Sequence, residues 1–129
     1  MIALDTNILV RFLVDEEAVE GPMSARLIEG ELTRDEPGYV SVLVLAEMLW
    51  VLKSGYQVSP DQQRDIVRQL LDMPQIVIEH PDEVEQAMSL PHSDLADCIL
   101  HEVGRAAGCA RTVTFDRRFA RLDGVQLVQ

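Results

Sequence analysis

Lysine is almost missing from this 129-residue chain: Lys53 is the only one, which weakens any mechanism needing a lysine elsewhere. Arginine supplies nearly all the positive charge, and the formal net charge is −11. Strong nonspecific nucleic-acid binding rests on basic patches, and this balance argues against it. An enzyme acting on nucleic acid is not excluded, because bound divalent cations invert the local potential. Cysteine is limited to Cys98 and Cys109, in no C-x-x-C arrangement. Such a domain reads as reduced and intracellular, with both cysteines as small buried apolar residues. No signal peptide is visible, since Asp5 falls where a basic n-region belongs. The longest apolar stretch, Val40–Leu52, is too short to span a bilayer and contains Glu47. These absences predict a cytoplasmic protein that does not engage the membrane. Phosphate-binding motifs of the G-x-x-x-x-G-K-[ST] and G-x-G-x-x-G kinds are absent, as is G-x-S-x-G. His80, His92 and His101 are scattered. His101 follows Asp97 by four residues and so has the spacing to assist a metal, but a partly exposed surface histidine is the simpler reading.

What is present is the balance of a globular protein, 47% hydrophobic and 26% charged. The length predicts a single domain over residues 1–129. Strand-like and helix-like stretches alternate. Ile2-Ala3-Leu4 reads as a short buried strand that ends in Asp5, with Thr6-Asn7 as the cap of a helix over Asn7–Val14. Glu16–Thr33 reads as a second helix, interrupted or restarted at Gly21-Pro22. Arg34–Gly38 is a polar turn and Tyr39–Ser41 a strand. Ser41 or its neighbour caps a helix over Val42–Lys53 that stops near Gly55. Pro60–Met73 is an amphipathic helix, Gln75–Glu79 a strand, and Pro81–Leu90 a short helix. Asp94–Ala107 is a helix closed by Gly108. Ala110–Phe115 is a strand, Arg117–Leu122 a turn, and Val125–Val128 a short edge strand. The alternation predicts an α/β fold with a largely parallel sheet covered by helices on both faces.

Four acids stand out. Asp5 and Asp116 each end a short strand, and ligands in open parallel sheets bind beyond the C-terminal strand ends. Glu47 has Leu43, Val44, Trp50 and Val51 around it on the helix wheel, which predicts a buried carboxylate. Such a group is costly unless it is neutralised or paired. Asp97 lies in the first turn of its helix, where a carboxylate is also favourable by dipole or as part of a capping arrangement with Asp94. Asp94, Asp97, His101 and Gly104 share a face that reads as wet, opposite Leu95, Ile99 and Val103. If the acids converge, they repel: two carboxylates about 4 Å apart cost roughly 4 kcal/mol at an effective dielectric of 20. Cations between them resolve this, and hard oxygen donors suit Mg²⁺ or Mn²⁺. Such sites typically perform phosphoryl chemistry.

Two other readings compete. A phosphoacceptor signalling domain would need an acidic pair after the first strand, a mid-chain strand-end Asp and a late lysine. Here Asp5 stands alone, Ile76-Val77-Ile78 leads to Glu79, and Lys53 is the only lysine. A catalytically silent binding module would not need the full set of acids.

The ordered set D-T-N-I-L after an apolar strand, A-E in an apolar helix, D-L-A-D-C-I-L at a helix start and T-F-D-R-R-F near the end resembles the PIN-domain ribonucleases, most closely the VapC-type toxins of bacterial toxin–antitoxin pairs. The resemblance runs from Met1 to about Val128. It implies an α/β/α three-layer sandwich with a mainly parallel sheet, and a Mg²⁺- or Mn²⁺-dependent endoribonuclease. Asp5, Glu47, Asp97 and Asp116 would match the metal-holding acids, with Asp5 and Asp97 as principal ligands. Asp94 would be an additional acid, and Thr6, Asn7 and Thr114 polar positions lining the site. The resemblance also implies a homodimer and a small VapB-type antitoxin whose C-terminal segment blocks the cleft. Arg117, Arg118 and Arg121 follow Asp116 directly. They are candidates for RNA contact, or a solvated turn offsetting acidic neighbours.

Overall fold

Three short strands begin the architecture: β1 (Ile2–Ala3), β2 (Gly38–Val40) and β3 (Ile76–Ile78), all parallel, with β2 in the middle. Parallel neighbours need long crossovers, and here helices supply them. Between β1 and β2 lie α1 (Thr6–Leu13), α2 (Glu20–Ala25) and a π-helical segment over Arg26–Glu31. Between β2 and β3 lie α3 (Val42–Tyr56) and α4 (Pro60–Asp72). After β3 come α5 (Pro81–Met88), α6 (Leu95–Ala106), β4 (Thr112–Thr114), a 3₁₀ turn (Phe119–Arg121) and β5 (Val125–Leu127), with β4 and β5 paired in parallel. The computed structural model describes residues 1–14 and 19–129. The chain forms two compact units, Met1–Glu79 and His80–Gln129.

In the N-terminal unit the core is aliphatic. Leu9, Ile28, Val40, Leu45, Met48, Leu52, Val67 and Leu70 are essentially solvent-free. The expected buried first strand is only partly so: Ile2 and Ala3 are exposed, and Leu4, just past the strand, carries the burial. Gly38 shows why the polar turn expected over Arg34–Gly38 ends one residue early. A Cβ there would stand 2.7 Å from Leu4 Cδ1 and 2.8 Å from Leu32 Cδ1, so glycine lets β2 approach both leucines.

Of the interruption or restart expected at Gly21-Pro22, the structure shows a helix start: α2 begins at Glu20, just before the pair. Both residues sit in the first turn of α2, where a missing proline N–H costs no helical hydrogen bond. The beginning of the helix expected at Glu16 falls outside the described residues, and its end is the π-helical segment. Ser41 does cap α3, its Oγ accepting the Val44 amide at 3.1 Å. That helix runs past Lys53 and through Gly55 to Tyr56, and ends at Gln57 in a left-handed conformation. The helix from Pro60 has a full capping box: Ser59 Oγ accepts the Gln62 amide, and Gln62 Oε1 accepts the Ser59 amide.

In the C-terminal unit α5 packs on α6. The helix from Pro81 ends at Met88 rather than Leu90, with Ser89 as its C-cap. Leu95, Cys98, Ile99, His101 and Glu102 are the buried residues of α6. His101 is therefore not the surface residue expected. It is 3% exposed, and its Nδ1 lies 2.7 Å from Thr112 Oγ1 on β4. Gly124 makes room for it: a Cβ there would come 3.1 Å from the imidazole Cε1, and the residue's φ of +84° also favours glycine. Of the two cysteines, Cys98 is buried as expected, but Cys109 is exposed, because it lies beyond the C-terminus of α6. Among the described residues no helix is long and apolar enough to cross a membrane.

Candidate active site

Asp5 follows β1 and is itself the N-cap of α1, in place of the Thr6-Asn7 cap expected. Its backbone is extended, its side chain accepts the Thr6 amide at 2.8 Å, and its carbonyl accepts the Ile8 amide at 3.1 Å. The carboxylate is exposed, Thr6 is buried and Asn7 exposed. Extending the β1–β2 pairing by two places and the β2–β3 pairing by one puts Asp5, Ser41 and Glu79 in one row at the C-terminal ends of β1, β2 and β3. Glu79 was not singled out from the sequence. Its Oε1 accepts the Val42 amide at 2.9 Å, so it helps Ser41 close the N-terminus of α3. A polar residue directly after a β-branched strand was the available signal. Glu79 also hydrogen-bonds Tyr39, whose phenol titrates above its ordinary value through burial and this contact.

Glu47 is exposed, which corrects the expectation of a buried carboxylate. Leu45, Met48, Leu49 and Leu52 form the buried stripe of α3, while Leu43, Glu47 and Trp50 lie together on its exposed side. Leu43 is 76% exposed and Trp50 68%. Apolar residues occur all round this helix, so apolar neighbours on the wheel did not report burial.

The C-terminal unit gathers a denser group. Asp94 is the N-cap of α6, and its Oδ1 accepts the Asp97 amide at 3.0 Å, as the spacing suggested. Asp97 Oδ2 lies 3.0 Å from His92 Nε2. Burial holds the Asp97 carboxyl above its ordinary pKa; the charges of Asp94 and Asp116 push the same way, against the pull of His92. Asp116 behaves oppositely. Its Oδ1 accepts the amides of Phe119 at 3.1 Å and Arg118 at 2.8 Å, which lowers its pKa. Thr114 Oγ1 accepts the Asp116 amide at 3.0 Å. Arg117 and Arg118 are exposed beside this turn. Arg121 instead lines a separate concavity of about 630 Å³, with His101, Glu102 and Arg105 among its other walls.

His92 is the residue that sequence reasoning passed over. It precedes the Asp94 cap by two positions, and that closeness to a capped helix start was the only available signal.

Among the described residues no group of three or more His, Cys, Asp or Glu side chains stands together so as to hold a metal ion. The donor chemistry nonetheless fits a hard divalent cation. Asp97 sits in the negative field of Asp94 and Asp116, which a cation would relieve. Mg²⁺ commonly takes only one or two carboxylates and keeps several waters.

The sequence model of the PIN domain matches residues 2–125, so the chain belongs to the PIN domain family. The expected α/β class is thereby borne out, with its parallel strands and intervening helices. Members of the family are generally nucleases and generally use divalent metal ions. Comparison with curated proteins found no match.

Proposed function

We propose that the chain is a Mg²⁺- or Mn²⁺-dependent endoribonuclease, a single PIN domain over residues 1–129. What supports this reading is membership of a nuclease family together with Asp97, whose carboxylate meets His92 and lies in the negative field of Asp94 and Asp116, which a cation would relieve. Asp5, Glu47, Asp97 and Asp116 would hold the cation, the role the family resemblance assigns to them. Asp94, Thr6, Asn7 and Thr114 support them. When bound, the cation lowers the pKa of water and neutralises charge on the phosphate.

Water is the nucleophile, and no side chain forms a covalent bond to phosphorus. The carboxylates orient the water and receive its proton. The phosphorus–O3′ bond breaks and the departing O3′ takes a proton from solvent water, leaving a 5′-phosphate and a 3′-hydroxyl. Arg117 and Arg118 contact the RNA backbone as exposed cations, and Arg121 serves the same strand further on. The biological role that suits this activity is the toxin of a cytoplasmic VapBC-type pair, a homodimer held silent by a VapB-type antitoxin.

Incubating total bacterial RNA with the purified protein tests the reading. Discrete fragments should appear with Mn²⁺ and vanish with EDTA, Asp5→Asn or Asp97→Asn. Full metal-dependent cleavage by both variants would refute the assignment. Metal binding without cleavage of any RNA would favour a silent binding module.

A further inference from the structure

We propose that His92 is a positioning residue that fixes the orientation of the Asp97 carboxylate and so determines how well it holds a cation; this rests on the reading of Asp97 as a cation ligand. Three contacts support it. His92 Nε2 meets Asp97 Oδ2 at 3.0 Å, and the His92 side chain is only 7% exposed. The imidazole stacks on Phe119, with centroids 5.4 Å apart and planes 12° from parallel. Phe119 is buried in turn, and its amide is held by Asp116 Oδ1 at 3.1 Å.

These contacts form a chain from Asp116 through Phe119 and His92 to Asp97. A carboxylate in the first turn of a helix has two free side-chain torsions. A donor on one oxygen fixes which oxygen is presented outward. The donor is itself fixed, because a ring packed flat on a buried aromatic cannot swing without losing the stack. The ionised carboxylate accepts only, so the imidazole donates through Nε2–H. Oδ2 is thereby occupied, and Oδ1 has no protein donor among the described residues. The same contacts link the turn after β4 to the start of α6: Asp116 Oδ1 accepts the amides of Arg118 and Phe119, and Phe119 carries the platform for His92. A merely structural histidine would need the stack but not the bond to Asp97.

Two measurements on the full chain separate these roles. Scalar couplings of the Asp97 β protons, recorded without metal, report its side-chain torsion. The Kd for Mn²⁺, measured by calorimetry, reports cation binding. His92→Phe keeps a ring on Phe119 and removes the donor. It should average the Asp97 couplings and weaken Mn²⁺ about 10- to 100-fold, the range typical for loss of a ligand's hydrogen-bond partner. His92→Gln returns a donor without the stacked ring and should restore both values only in part. Phe119→Leu keeps the donor and removes the platform, and should loosen the same torsion; it decides the matter should His92→Phe fail to fold. A single Asp97 rotamer and unchanged Mn²⁺ affinity in folded His92→Phe would overturn the proposal. Asp97→Asn separates the two readings. If it binds Mn²⁺ as tightly as the wild type, Asp97 is not a cation ligand and the proposed metal site falls, with this inference's effect on the cation. The couplings still decide whether His92 orients the carboxylate.

Discussion

Asp94 and Asp97 are joined by the N-terminus of α6: the first residue's Oδ1 accepts the second's amide at 3.0 Å. One carboxylate thus closes the helix while the other, at the third helical position, faces its charge. Asp94→Ala should cost about 1 kcal/mol, the usual loss for a side-chain cap, visible as a lower Tm. Asp94→Ser should restore most of that stability. If Asp94 also supports a cation, Asp94→Ser will remain impaired in RNA cleavage although its Tm recovers.

The raised pKa of Asp97 has a definite sign in stability. The folded protein keeps this proton to higher pH than the unfolded chain, chiefly because of burial. Between the ordinary aspartate value and the raised folded one, the folded state binds more protons, so stability falls as pH rises through that window. Above it, the ionised group is a net cost. Asp97→Asn should therefore raise the Tm of the metal-free protein at neutral pH, and the gain should disappear below the ordinary aspartate value. A lower Tm at neutral pH would contradict this balance.

Buried His101 and half-buried Thr112 make a pair with no part in the proposed chemistry. Thr112→Val keeps the shape and strands the imidazole Nδ1. The expected loss is about 1–3 kcal/mol, the penalty of an unsatisfied buried polar group, read by urea unfolding. Mn²⁺ affinity should not change.

Glu47 offers the opposite separation. Its carboxylate is exposed on the outer side of α3, away from the buried leucines. Glu47→Gln should leave stability within about 0.5 kcal/mol of the wild type and still reduce metal-dependent cleavage. A large stability loss without loss of cleavage would remove Glu47 from the proposed acids.

Much of this architecture was legible in the residues. Short apolar or β-branched stretches located β2 to β5, and Ser41 and Asp94 announced their helices as caps. What failed has specific causes. Burial on α3 could not be read because apolar side chains surround the helix, so the position of its core stripe depended on tertiary packing. His92 could not be found by motif, because its partners Asp97 and Phe119 are 5 and 27 positions away and only folding brings the second to its ring. His101 was misread because its partner lies on a strand formed 11 residues later.

The most direct test of the proposed activity is the chemistry of the cut ends. RNA fragments made by the purified protein with Mn²⁺ would be labelled at their 5′ termini before and after phosphatase treatment. Hydrolysis by water with loss of O3′ predicts 5′-phosphates that accept label only after phosphatase, with no fragments in EDTA or from Asp97→Asn. Fragments with 5′-hydroxyl ends, made equally well in EDTA, would contradict it.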